Sequence, residues 1–326
     1  MQRVDIMKLE NIKKIAMVGA GTMGPGMALV FAQHGYMVKL FSRRQETLNK
    51  AESVIRTSLG TLLEFGILKK EEIDPILRRM IFTNSLAEAA SDADFAFETV
   101  IEKQEVKREI FDELDRICPP RTILASNTSS LNIFESVTSS RLPNAVIAHW
   151  FAPPHIIPLV EVVRGTGTTN ETIDLTVALL RKVGKTPVLM EKFIPGFVIN
   201  RLLRSLGRET FFLLDNGYIT PKNLDLAVKA SLAPRMMILG VVQRYDFTGL
   251  DISAWNLQNP DFPDPPIDNR PKSLFDLVEK GHLGVKVGKG FFDYGGKKLD
   301  EILKERDMNL LKVLKNTEFC FDEKGD

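Results

Sequence analysis

Cysteine is scarce: the 326 residues hold only Cys118 and Cys320. A pair so widely separated fits neither a metal-ligand spacing nor a disulfide framework. No metal site is expected, and a reducing, cytoplasmic setting is. An excess of charge is also missing. Forty-three Lys and Arg face 42 Asp and Glu, a formal net charge of +1, which argues against nucleic acid as a partner. Nor is there an uninterrupted apolar run of membrane-spanning length. Residues 15–32 come nearest, an uncharged stretch behind Lys13-Lys14 that resembles a signal peptide's charged start and apolar core. It is broken in its middle by Gly19, Gly21, Gly24, Pro25 and Gly26, so neither a signal peptide nor a membrane segment is expected. Repeats and low-complexity tracts are lacking too. What remains is an ordinary globular composition, 44% hydrophobic and 26% charged. At about 100–200 residues per domain, the length implies two domains.

Short apolar runs alternate with helical patterns over the first two thirds of the chain. Strands are expected at residues 15–18, 37–41, 81–83, 95–97, 123–125, 146–148, 159–163 and 187–189. Apolar residues at helical spacing lie between them, including a hairpin of helices turning at Gly66. Such alternation predicts an α/β fold: a Rossmann-type doubly wound, mostly parallel sheet with a helical hairpin insertion. The alternation stops at Pro195-Gly196, and the remainder reads as helical apart from a Pro-rich loop at residues 259–271. The expected domains are therefore 11–195 for dinucleotide binding and an all-α C-terminal domain, 196–326, for substrate binding and dimerisation.

Gly19-Ala20-Gly21-Thr22-Met23-Gly24 matches G-x-G-x-x-G between an expected strand and an expected helix, the context that gives this motif meaning. The first glycine allows the tight turn, the second lets a pyrophosphate approach the backbone, and the third lets helix and strand pack closely. The helix N-terminus offers free N–H groups to the phosphates. At the end of the second strand, an acid that would bond the ribose 2′-hydroxyl is absent; the chain reads Ser42-Arg43-Arg44 there. Two guanidiniums in that place suit a 2′-phosphate, so the cofactor is expected to be NAD(P), with NADP accepted.

Beyond the cofactor loop, Ser126-Asn127-Thr128-Ser129-Ser130-Leu131 and His149 each follow an expected strand, and Glu161 lies within the next. Hydroxyl, imidazole and carboxylate groups at strand ends are the parts of an acid–base site. With the glycine loop, these residues belong to a longer set. It includes His149-Trp150-Phe151-Ala152-Pro153-Pro154, Pro158-Leu159-Val160-Glu161-Val162-Val163 and Gly184-Lys185-Thr186-Pro187-Val188. It continues through Pro195-Gly196-Phe197-Val198-Ile199-Asn200-Arg201, Thr248-Gly249-Leu250-Asp251 and Gly288-Lys289-Gly290-Phe291-Phe292-Asp293-Tyr294. In that order the chain resembles the 3-hydroxyacyl-CoA dehydrogenase family along nearly its whole length.

The resemblance implies an oxidoreductase that interconverts a 3-hydroxyacyl-CoA and its 3-oxo form in fatty acid metabolism. His149 would be the general acid/base, oriented by Glu161, with Ser129 on the reacting oxygen and Asn200 completing the site. It adds Glu102 and Asn127 to a cofactor set of Gly19, Gly21, Thr22, Met23, Gly24, Ser42, Arg43 and Arg44. It also implies a homodimer formed through the helical domain. Departures bear on the substrate. Where the family commonly has Asn, this chain has Ala152. A Ser and a Lys contact CoA in acyl-CoA members; Ser58 matches the first by offset, but the Lys position falls on Phe65, leaving Lys69 among the nearby cations. Ala233-Pro234-Arg235 resembles subgroups whose Arg meets a substrate carboxylate or phosphate. Pro153-Pro154-His155-Ile156-Ile157-Pro158-Leu159 resembles the sister branch of L-gulonate and carnitine dehydrogenases, which use free 3-hydroxy acids. The acyl-CoA reading leads here, with the free acid as alternative and a non-catalytic cofactor-binding protein as a third possibility.

Overall fold

The computed structural model describes residues 8–321 and divides into two compact units, Met1–Asn200 and Arg201–Asp326. The first unit is built on one eight-stranded sheet. Its strands and helices follow in the order β1 (Lys14–Val18), α1 (Gly24–Gln33), β2 (Met37–Phe41), α2 (Gln45–Phe65), α3 (Lys70–Arg78), β3 (Met80–Thr83), α4 (Leu86–Ala90), β4 (Phe95–Glu98), α5 (Gln104–Ile117), β5 (Ile123–Ser126), β6 (Ala145–Trp150), β7 (Leu159–Val163), α6 (Asn170–Lys182) and β8 (Thr186–Met190).

The spatial order β3-β2-β1-β4-β5-β6-β7-β8 reverses direction between β1 and β4, the switch point at which such sheets open a ligand crevice. All neighbouring pairs are parallel except β6 and β7, which run antiparallel with His149 opposite Glu161. The continuous apolar runs of β1, β4, β5 and β6 are explained by burial on both faces. On one side Phe31 of α1 packs its ring 5.1 Å from Phe97 and 5.7 Å from Trp150. On the other, Ile110, Phe111 and Leu114 of α5 join Ala16, Ala96, Leu124 and Ile147. The hairpin expected at Gly66 is present: Gly66 ends α2 with φ 82°, a left-handed turn that glycine adopts without strain.

The second unit is helical: α7 (Ile199–Asp215), which starts at the end of the first unit, then α8 (Pro221–Ala227), a π-helical turn at Val228–Leu232, α9 (Ala233–Leu239), α10 (Gln243–Thr248), α11 (Leu250–Gln258), α12 (Lys272–Glu279) and α13 (Leu299–Thr317). The carboxylate of Asp215 accepts from the Lys272 and Ser273 amides and so caps α12. None of α7 to α12 has a buried residue, and large apolar side chains such as Leu203, Tyr218, Phe247 and Trp255 are exposed. Among the described residues no helix is long and apolar enough to cross a membrane.

Candidate active site

A cleft of about 700 Å³ lies at the carboxyl ends of the central strands of the first unit. One wall is the turn after β1. A Cβ on Gly19, whose φ is 120°, would come within 2.7 Å of the Thr99 backbone, and one on Gly24 within 1.9 Å of the Gly19 carbonyl oxygen. Nothing lies within 4 Å of a Cβ built on Gly21, which lines the cleft with Ala20, Thr22 and Met23. The first and third glycines thus close the turn, and the second leaves room in front of the α1 N-terminus. That is the shape a dinucleotide pyrophosphate requires. Ser42, Arg43 and Arg44 line the same cleft from the end of β2. The Ser42 carbonyl there accepts from Asn84 Nδ2 at 2.7 Å.

Glu102, Asn127, Ser129, His149 and Asn200 form the rest of the lining. His149 ends β6 and Glu161 faces it from β7. The antiparallel pairing that makes them direct neighbours lets the imidazole Nδ1 sit 2.8 Å from Glu161 Oε2. The other carboxylate oxygen, Oε1, accepts from the amides of Val198 and Ile199, each at 2.9 Å. These are orphan N–H groups at the start of α7, and an anion is favoured there. Gly196, with φ 78°, and Phe197, with φ 50°, turn the chain so that these amides face Glu161. A left-handed phenylalanine is strained, and burial of its ring, 5.4 Å from His149, offsets the strain.

Glu102 organises the loop after β5. Its Oε1 accepts from Thr128 Oγ1 at 2.6 Å, the Ser129 amide at 2.8 Å and the Ser130 amide at 3.1 Å, and Ser129 Oγ donates to it at 3.0 Å. Burial alone would raise its pKa, but the Thr128 bond, the Lys107 charge and the Ser129 bonds outweigh this and hold the carboxyl below its ordinary range. Asn127 Oδ1 accepts the Trp150 amide at 2.7 Å, and Asn200 Nδ2 donates to the Ser129 carbonyl at 3.3 Å. Beneath the loop, Lys107 places its amine 2.8 and 2.9 Å from the two oxygens of Glu98 and 3.3 Å from Glu102. Glu98 also accepts from Ser126 Oγ at 2.5 Å and the Val100 amide at 2.7 Å. Burial is the largest influence on Glu98 and pushes its carboxyl pKa up despite the lysine.

The fold therefore brings Gly19, Gly21, Thr22, Met23, Ser42, Arg43, Arg44, Glu102, Asn127, Ser129, His149 and Asn200 to one cleft. Gly24 and Glu161 lie directly behind it. None of the three expected substrate contacts is among its lining residues. Ser58 is buried on the inner face of α2 with Ile55, Leu59 and Leu62, and exposed Lys69 precedes α3, its amide donating to Glu72. Arg235 belongs to the second unit, where its guanidinium donates to the Ser231 carbonyl and hydroxyl. Sequence reasoning missed Glu98 and Lys107. The available signal was a charge on an apolar stripe: the buried face of α5 is Lys107, Ile110, Phe111 and Leu114.

A dinucleotide cradle and a carboxylate-supported imidazole in one crevice define an NAD(P)-binding oxidoreductase. The 3-hydroxyacyl-CoA dehydrogenase NAD-binding domain model matches residues 14–193, and the C-terminal domain model of the same family matches 196–294. The chain belongs to the 3-hydroxyacyl-CoA dehydrogenase family. It is 32% identical over 305 residues to the 5-formyl-3-hydroxy-2-methylpyridine 4-carboxylate 5-dehydrogenase of Mesorhizobium japonicum, covering 93% of this chain and 97% of that one. To the 3-hydroxybutyryl-CoA dehydrogenase of Clostridioides difficile it is 34% identical over 284 residues, covering 86% and 99%. A crystal structure of 5-formyl-3-hydroxy-2-methylpyridine 4-carboxylic acid 5-dehydrogenase, described as an NAD+-dependent dismutase, superposes with a TM-score of 0.84 at 30% identity. It covers 94% of this chain and 99% of that one.

Proposed function

We propose that this protein is an NAD(P)-dependent dehydrogenase of a small free hydroxy acid, interconverting its hydroxyl and carbonyl forms without a CoA carrier. This reverses the order of the two sequence readings. The observation that supports it is that Phe65 stands at the family's CoA-lysine position, while Ser58 is buried within α2. The match to a pyridine carboxylate dehydrogenase, at 32% identity against 34% but over 93% of the chain against 86% for the 3-hydroxybutyryl-CoA enzyme, supports the same reading.

In this reading a nicotinamide cofactor held at the Gly19–Gly24 turn would supply the hydride chemistry at the substrate carbon. His149 takes the hydroxyl proton through Nε2, because Nδ1 is committed to Glu161. Glu161 stabilises the imidazolium so formed. Ser129 turns its hydroxyl from Glu102 to the reacting oxygen, while the Ser129 and Ser130 amide bonds to Glu102 and the Asn200 bond keep its loop in place. Arg43 and Arg44 favour a cofactor carrying a 2′-phosphate. A second copy of the chain is the proposed cover for the exposed apolar residues of the helical unit, such as Leu202, Leu203 and Leu206 on α7; sedimentation at twice the chain mass is the corresponding observation.

The test is a spectrophotometric panel offering L-carnitine, L-gulonate and acetoacetyl-CoA with both cofactors in the direction each requires. Turnover confined to free acids is expected. Preferential turnover of acetoacetyl-CoA overturns the reading and restores the acyl-CoA one.

A further inference from the structure

Lys185 immediately precedes β8 within Gly184-Lys185-Thr186-Pro187-Val188, a stretch to which the reaction assigns no role. Its side chain is buried, with 8% exposure for the residue. The amine donates to the Pro154 carbonyl at 2.6 Å and the Ile157 carbonyl at 2.9 Å, and lies 5.2 Å from the centre of the Trp150 ring. Both carbonyls belong to residues 151–158, the segment joining β6 to β7. That segment also closes on itself, the Ile156 and Ile157 amides donating to the Pro153 carbonyl.

Two residues of the segment touch something the reaction needs. Phe151 lines the cleft and places its ring 4.5 Å from the His149 ring. Pro154 abuts the dinucleotide helix, since a Cβ on Gly26 would come within 2.6 Å of Pro154 Cγ. A buried ammonium is costly, and methionine would fill the same volume without that cost. What lysine alone adds is a pair of donors on carbonyls of an irregular segment that has no strand partner for them.

We propose that Lys185 is a positioning residue for the reaction: by holding the Pro154 and Ile157 carbonyls, it fixes residues 151–158 against both His149 and α1. This rests on the reading of His149 as the acid/base. The segment is short and anchored at each end, so a displacement at Pro154 reaches Phe151 and the imidazole beside it.

The experiment compares Lys185→Met with the wild type, using whichever of L-carnitine, L-gulonate and acetoacetyl-CoA is turned over. Misplacing a reacting group by about 1 Å can cost on the order of 100-fold, so kcat is expected to fall about 10- to 100-fold with the cofactor KM held within about twofold. Amide exchange should quicken in residues 151–158 and stay unchanged in β1 and β2. Wild-type kcat, a loss of cofactor affinity in step with kcat, or faster exchange throughout the unit overturns the proposal. Should Lys185→Met fail to fold, Gly26→Ala presses on Pro154 from the α1 side with Lys185 intact. The same kcat-selective loss is expected there, and an unchanged kcat overturns the link. His149→Ala separates the two ideas. Full activity in that variant refutes the acid/base reading, whereas the exchange pattern of Lys185→Met decides the clamp by itself.

Discussion

His149 and Glu161 share one hydrogen bond, Nδ1 to Oε2 at 2.8 Å, and that bond decides which ring nitrogen is left uncommitted. A carboxylate can only accept, so Nδ1 carries the hydrogen and Nε2 of the neutral ring keeps its lone pair. Glu161→Gln tests this directly. The amide oxygen can still accept from Val198 and Ile199, but its NH2 then faces Nδ1 and turns the tautomer over. A kcat loss of about 10²–10⁴-fold is expected in the oxidative direction, with cofactor affinity kept. Steady-state kinetics and cofactor titration check it.

Removing the imidazole should have an effect of similar size. His149→Ala is expected to lower kcat by about 10²–10⁴-fold with the fold preserved. Near-wild-type turnover, at an unchanged far-ultraviolet circular dichroism spectrum, would remove His149 from the mechanism.

Arg43 and Arg44 stand on the cleft where a ribose-binding acid is absent. Charge-assisted bonds of about 1.5–3 kcal/mol each convert to about a tenfold loss or more per arginine at about 1.4 kcal/mol per factor of ten. The doubly substituted Arg43→Ala/Arg44→Ala protein should therefore lose kcat/KM with NADPH by about 100-fold or more, and little with NADH. A wild type that strongly prefers NADH, indifferent to both substitutions, contradicts the 2′-phosphate assignment.

Glu98 and Lys107 form an ion pair buried to 0% and 1% side-chain exposure. Deleting one partner of such a pair leaves an uncompensated charge, at a cost of about 3–5 kcal/mol. Lys107→Met should destabilise the first unit by that order in denaturant unfolding. Glu98→Gln added to it should recover part of the loss, because no charge is then left behind.

Lys185 gives the pH dependence. Burial lowers its pKa to about 7 in the folded protein, against about 10.4 unfolded. Between those values the unfolded chain holds the extra proton, so stability rises with pH, at up to about 1.4 kcal/mol per unit for this one group. The stability of the wild type relative to Lys185→Met should increase from pH 7 towards pH 10 and be flat below pH 7. A neutral amine retains two N–H donors, so the bonds to Pro154 and Ile157 survive the deprotonation.

The architecture was legible because period and punctuation agreed. All eight strands were read from apolar runs, and Gly66 marked the hairpin turn. The glycine loop was legible because each glycine answers a separate steric demand. Other features leave no local mark. Nothing in Leu159-Val160-Glu161-Val162-Val163 announces that this strand runs opposite to β6, since a strand buried on both faces looks alike in either direction. The amides that hold Glu161 belong to a backbone, and no side-chain pattern reports them. Ser58 matched an offset, yet an offset along a helix does not say which face is turned inward. Lys107 fell among apolar residues as a lone charge, which a stripe-based reading passes over.

The reversal of β7 also constrains how this site can diverge. Because His149 and Glu161 are paired across the β6–β7 ladder, slipping that ladder by one residue would turn the carboxylate to the opposite face of the sheet. The connecting segment is held at both ends and by Lys185 along its length, so an insertion there puts the pairing itself at risk. New substrates are more readily gained by exchanging side chains such as Ala152 than by lengthening the loop. Among descendants of this fold, residues 151–158 should vary in composition and keep their count.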